Sequence, residues 1–118
     1  MPIVRNETNR RMSQVVKAGS TIYLAGQLAY KNQGANPDAQ MREILDRIDR
    51  FLAEFGADKR SLVSATVWLD DISDYDAINA VWDSWVPESY APARACVEAK
   101  LAMTGFKVEV SAIAYVGD

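Results

Sequence analysis

The C-terminal stretch does most to limit what this chain can fold into. From Lys107 to Val116, Val108, Val110, Ala112, Ala114 and Val116 alternate with Lys107, Glu109, Ser111, Ile113 and Tyr115. A period of two over ten residues predicts a strand. Its first face suits packed helices, and its second mixes charge with bulky apolar groups. Arg94–Leu101 alternates in the same way, with Ala95, Val97, Ala99 and Leu101 opposite Arg94, Cys96, Glu98 and Lys100. Its alanine and valine face is expected to turn inward. Ala102–Phe106 joins the two strands, with Gly105 at the bend. A sheet of such strands must be covered on both sides.

The rest of the chain supplies one cover. Met41, Ile44, Leu45, Ile48, Phe51, Leu52 and Phe55 recur at helical spacing, with Asn36 as the expected cap, Pro37 in the first turn and Gly56 as the stop. Glu43 with Arg47 and Asp46 with Arg50 are spaced as i,i+4 pairs on a solvated face. A second helix is expected behind a Ser73 cap. Its stripe is Tyr75, Ile78, Val81, Trp82 and Trp85, and Pro87 ends it. Leu62–Leu69 alternates as a strand, and Gln14–Lys17 and Thr21–Ala29 flank Ala18-Gly19-Ser20 as a hairpin after a short extended start at Pro2–Arg5. No repeat or linker divides the sequence, so residues 1–118 read as a single domain. The predicted class is α+β, a two-layer mixed β-sheet with two helices on one face. Trp68, Ile113 and Tyr115 are expected on the other face, where a homo-oligomer would bury them.

Composition narrows the chemistry. The 118 residues include no His and one Cys, and 13 basic residues against 16 acidic ones give a net charge of −3. A Ser/His or Cys/His pair, an ordinary zinc site and an internal disulfide are thereby excluded. Acidity makes nucleic acid an unlikely partner. No stretch is apolar enough for a secretory signal or a membrane span, so the cytoplasm is the expected compartment and no membrane partner is expected. Acid or base work falls to a carboxylate, Lys, Tyr or held water.

Three segments carry a resemblance: Ala25-Gly26-Gln27, Ala91-Pro92-Ala93-Arg94-Ala95-Cys96-Val97-Glu98, and Lys107 through Ala114. With Asn79 closing an Asp-Tyr-x-x-x-Asn pattern, the chain from about residue 14 to residue 116 resembles the reactive intermediate deaminase family, also called RidA or YjgF and described as endoribonuclease L-PSP-like. Arg11-Met12-Ser13 together with Trp82-Asp83-Ser84-Trp85-Val86 resembles a shorter bacterial branch. The resemblance implies a chorismate-mutase-like fold and a homotrimer with clefts between subunits. It also implies hydrolysis of enamine or imine intermediates, such as 2-aminoacrylate and other α-imino acids, to 2-oxo acids and ammonia, with no cofactor and no metal.

By residue type, Arg94 can present a rigid fork to a carboxylate, and an ordinary surface or interface salt bridge is its plain alternative. Glu109, flanked by valines, is costly to bury unless paired or used; a place on a solvated face is its alternative. The resemblance makes Arg94 the substrate clamp and Glu109 the residue that orders water and moves its protons. Gly26 allows close backbone approach, or marks a bulge. Gln27, Asn79 and Cys96 complete the expected pocket, with a backbone bond across the core edge as the alternative for Asn79 and a small buried hydrophobe as the plain reading of Cys96. Met12 and Ala25 stand where the best-known branch carries Tyr and Ser, which changes the expected substrate preference. A non-catalytic small-molecule binder or chaperone-like protein using the same cleft is the second reading, and an endoribonuclease the third.

Overall fold

Pro37 opens the long helix at the position where its missing N–H costs nothing. In the computed structural model, which describes residues 2–117, this helix is α1, Pro37–Ala53. Met41, Ile44, Leu45, Ile48, Phe51 and Leu52 are buried along it, each worth about 1.5–3 kcal/mol as an upper estimate. Asn36 has extended backbone but makes no side-chain cap bond. Gly56 takes a φ of +70° as the chain turns away, a region that favours glycine. The second helix, α2, spans Tyr75–Trp85 and packs beside α1 with Ile78, Val81 and Trp82 buried.

The helices cover one face of a six-stranded sheet. Its strands are β1 (Ile3–Thr8), β2 (Ser13–Ala18), β3 (Thr21–Gln27), β4 (Leu62–Leu69), β5 (Ala93–Glu98) and β6 (Val108–Tyr115), arranged β1-β2-β3-β6-β4-β5. Every neighbouring pair is antiparallel except β4 with β5. The α+β class, the mixed sheet and the placement of both helices on one face are as the sequence predicts. The extended start is a full edge strand paired to β2.

Strand register decides which side chains meet. Ala65, Val67 and Leu69 of β4 are buried under the helices, opposite Ala112, Val110 and Val108 of β6. The same β4 residues pair with Arg94, Cys96 and Glu98 of β5. Arg94 and Cys96 therefore lie on the helix side, while Ala93, Ala95 and Val97 are exposed on the open face. This reverses the expected inward face of β5. An edge strand packs against a single neighbour strand, so small apolar residues there are a weak sign of burial.

Other local expectations also change. Arg47 bonds to Gln27, Glu43 accepts from the Lys31 N–H and the Asn32 amide, and Arg50 lies 4.0 Å from Glu7, so neither expected i,i+4 charge pair forms among the described residues. Asp71 caps the short helical turn Ile72–Asp74 before α2 by accepting from the Ser73 N–H; Ser73 is not the cap. Tyr75 is exposed at the first residue of α2, where it borders a hollow with Ile72 and Cys96 and no strand covers it. Trp82 belongs to the core, and Trp85 is half-buried with its indole N–H donating to Asp49.

On the open face, Trp68 and Ile113 are partly covered, and Tyr23, Val97 and Tyr115 stand exposed. Among the described residues, no helix is long and apolar enough to cross a membrane.

Candidate functional site

Arg94 enters β5 directly after the irregular Pro87–Pro92 connection, and its register with Ala65 turns its side chain toward α2. Its guanidinium carbon lies 5.1 Å from the centre of the Trp82 ring, a cation–π contact that holds the fork. One guanidinium nitrogen, Nη1, is buried without a hydrogen-bond partner. The Oδ1 of Asn79, one helical turn before Trp82, is likewise buried and unpartnered. An unmet buried polar atom costs about 1–3 kcal/mol, and more when charged. A charged donor on β5 and a neutral acceptor on α2 are thus both left unmet.

Cys96 follows on the same face and lines a shallow hollow with Ile72, Ser73, Tyr75 and Asp76. Burial pushes its thiol above the ordinary value, against the opposing pull of Arg94. A raised thiol pKa disfavours the thiolate that a nucleophile needs.

Glu109 belongs to the other side of the sheet. It is directly opposite Trp68 of β4 on the open face, half-buried, and forms no hydrogen bond or ion pair among the described residues. Burial alone pushes its carboxyl above the usual carboxylate range, which suits proton transfer nearer neutrality. Its carboxylate lies against Gly26, where a Cβ would collide with Oε2. Here the absence of a Cβ leaves room for the carboxylate's close approach. The β3–β6 ladder is irregular between Leu24 and Gln27, so Gly26 is also a bulge position.

The remaining candidates lie toward the end of the sheet that holds Glu109 and differ in exposure. Ala25 and Gly26 are partly accessible, while Gln27 is fully buried with its amide bonded inside the fold. Met12 is exposed in the turn between β1 and β2, where Asn9 Oδ1 accepts from the N–H groups of Arg11 and Met12. Pairing of β2 with the end of β3 brings that turn to the end of the sheet where β6 begins. Sequence reasoning missed two neighbours, Trp82 as the bed under Arg94 and Trp68 as the wall beside Glu109. The face alternation of β4 was the available signal for Trp68.

Arg94 and Glu109 do not meet within one chain. They are two strands and three rows apart in the sheet, about 14 Å along its surface at ordinary strand spacing, and on opposite faces. On the helix side stand Arg94 and Cys96 with Trp82 and Asn79 of α2; on the open face Glu109 lies between Trp68 and Gly26, with Ala25 next in the chain and Met12 in the turn at that end of the sheet. Among the described residues, no cluster of His, Cys, Asp or Glu is placed to hold a metal ion.

Comparison with known proteins gives a consistent result. The family model described as Endoribonuclease L-PSP matches residues 3–116. A RutC family protein of Haemophilus influenzae is 39% identical over 114 residues, covering 97% of this chain and 98% of that protein. The RutC family protein YoaB of Escherichia coli is 37% identical over 116 residues, covering 98% of this chain and 100% of its own length. A crystal structure of a YjgF family member from Neisseria meningitidis superposes with a TM-score of 0.94 at 39% identity, covering 100% of this chain and 98% of that one.

Proposed function

Because this chain belongs to the RidA/YjgF family, whose model is described as Endoribonuclease L-PSP, we propose that it hydrolyses α-imino acids to 2-oxo acids and ammonia in clefts between the subunits of a homotrimer. The observation that carries this reading is the unpartnered, buried Nη1 of Arg94, an anion seat built without an internal anion. A substrate carboxylate supplies the missing acceptor, and the guanidinium fork fixes its plane. Asn79 Oδ1 accepts an N–H from the same ligand.

Glu109 contributes from the neighbouring copy. Its open face carries exposed Tyr23, Val97 and Tyr115, which association would cover. A carboxylate that holds its proton more tightly than usual can take one from attacking water and return it to the departing nitrogen. Water adds to the imine carbon, giving a carbinolamine. Proton transfer to its nitrogen then releases ammonia as the carbonyl forms. Since the imine is already electrophilic, orientation and proton transfer supply most of what is needed. Exposed Met12 and Ala25 offer no hydroxyl to the cleft, which favours imino acids with apolar side chains.

The test generates 2-iminopropionate with an amino-acid oxidase and follows its decay. Wild type accelerates the decay, and Arg94→Ala removes that acceleration. Equal decay with both proteins would contradict the reading. Stabilisation by 2-oxo acids without turnover would support the binding-protein alternative.

A further inference from the structure

Two polar side chains among the described residues, Gln27 and Gln40, are fully buried. Gln40 is accounted for by the loops it joins. Its Nε2 donates to the carbonyls of Asn32, Ala35 and Gly105, and its Oε1 accepts from the Lys107 N–H. Gln27 makes different contacts. Its Nε2 donates to Gln14 Oε1 at 3.0 Å and to the Ala25 carbonyl at 2.9 Å, and its Oε1 accepts from Arg47 Nε at 3.0 Å. Arg47 is held in turn over the rings of Tyr30 and Phe51.

A buried amide gains little over an apolar group of equal size unless its bonds fix something. These bonds converge on the irregular step of β3, where the ladder to β6 is broken between Leu24 and Gln27. Gly26, inside that step, is the surface against which the Glu109 carboxylate lies. We propose that Gln27, held by Arg47, is a positioning residue for Glu109: it pins the Ala25–Gly26 step and so fixes where the carboxylate meets water. Neither Gln27 nor Arg47 touches the substrate, and the catalytic consequence follows from the water-activating role of Glu109 proposed above.

The test pairs kinetics with a measurement that needs no turnover. The Glu109 carboxyl is followed by carbon NMR across pH, its signal assigned with Glu109→Gln, in wild type, Gln27→Met and Arg47→Met. The other titratable or charged groups toward that face are Lys107, Asp70 opposite it, Tyr23, Tyr115 and, at the far edge, Arg5. With the seat loosened, Glu109 becomes better hydrated and its midpoint moves down by about half a unit or more. In the imino-acid assay kcat falls about tenfold while KM, set by Arg94, changes less than about twofold. Arg47→Lys, which keeps a donor, recovers part of both effects. Ile48→Val, a core change elsewhere in α1, lowers the melting temperature and moves neither.

Should Gln27→Met fail to fold, Arg47→Met carries the test, because Gln27 keeps its bonds to Gln14 and Ala25. Folded variants with an unmoved Glu109 midpoint and unchanged kcat overturn the positioning role. A moved midpoint in a protein that does not hydrolyse imino acids overturns the proposed reaction and leaves the positioning role standing.

Discussion

Replacing Gly26 by Ala separates the site from the scaffold. The added methyl would lie 2.9 Å from Glu109 Cδ and 3.2 Å from its Cγ, and would overlap Oε2 outright. All three clashing atoms belong to the flexible end of one side chain, so the backbone need not move. Driving Glu109 off its preferred rotamer costs about 0.5–1.5 kcal/mol. Removing glycine's freedom in the unfolded chain returns about 0.4–1 kcal/mol. The two nearly cancel, and the melting temperature is expected to stay within about 8 °C of wild type. Catalysis fares worse, because the carboxylate must retreat by about 1 Å or more, a displacement that costs on the order of a hundredfold. Imino-acid decay and thermal melting on the same preparation read both quantities. Wild-type kcat in a folded Gly26→Ala protein would refute the placement of Glu109 at the chemistry.

Glu109→Gln is expected to abolish hydrolysis and raise stability at neutral pH. Because burial raises the Glu109 pKa, the native state binds this proton more tightly than the unfolded chain does. Its contribution is therefore present below the ordinary glutamate value and lost as pH rises through the raised one. Melting curves should show the Gln variant gaining on wild type across that window; a constant difference from pH 4 to pH 8 would contradict it. Gln40→Leu strands the Lys107 N–H and the Ala35 carbonyl, and leaves the carbonyls of Asn32 and Gly105 with only the N–H groups of Ala35 and Gly34. It should cost about 2–4 kcal/mol in denaturant unfolding, and a loss under about 0.5 kcal/mol would show that water replaces the amide.

The elements were legible where one periodicity dominates. Six buried apolar residues mark α1, and β4 matches its alternation from Leu62 to Leu69. The face of β5 was not legible, because Ala95 and Val97 look like core residues until the pairing with β4 is known. That same register puts Arg94 and Glu109 on opposite faces, a separation no single-strand pattern reveals. Arg94 and Glu109 stood out through family resemblance and unusual residue type. Gln27 looked like pocket lining, but its burial and bond to Arg47 depend on contacts twenty residues apart.

The central claim is that the working site needs two copies of the chain, and subunit mixing tests it most directly. Arg94→Ala and Glu109→Gln proteins, each inactive alone, are unfolded together in equal amounts and refolded. If each cleft takes its arginine from one subunit and its glutamate from the next, random assembly leaves about a quarter of the clefts intact and restores about a quarter of wild-type activity. No activity from a refolded, fully mixed assembly would contradict the account and place both groups within one subunit's site.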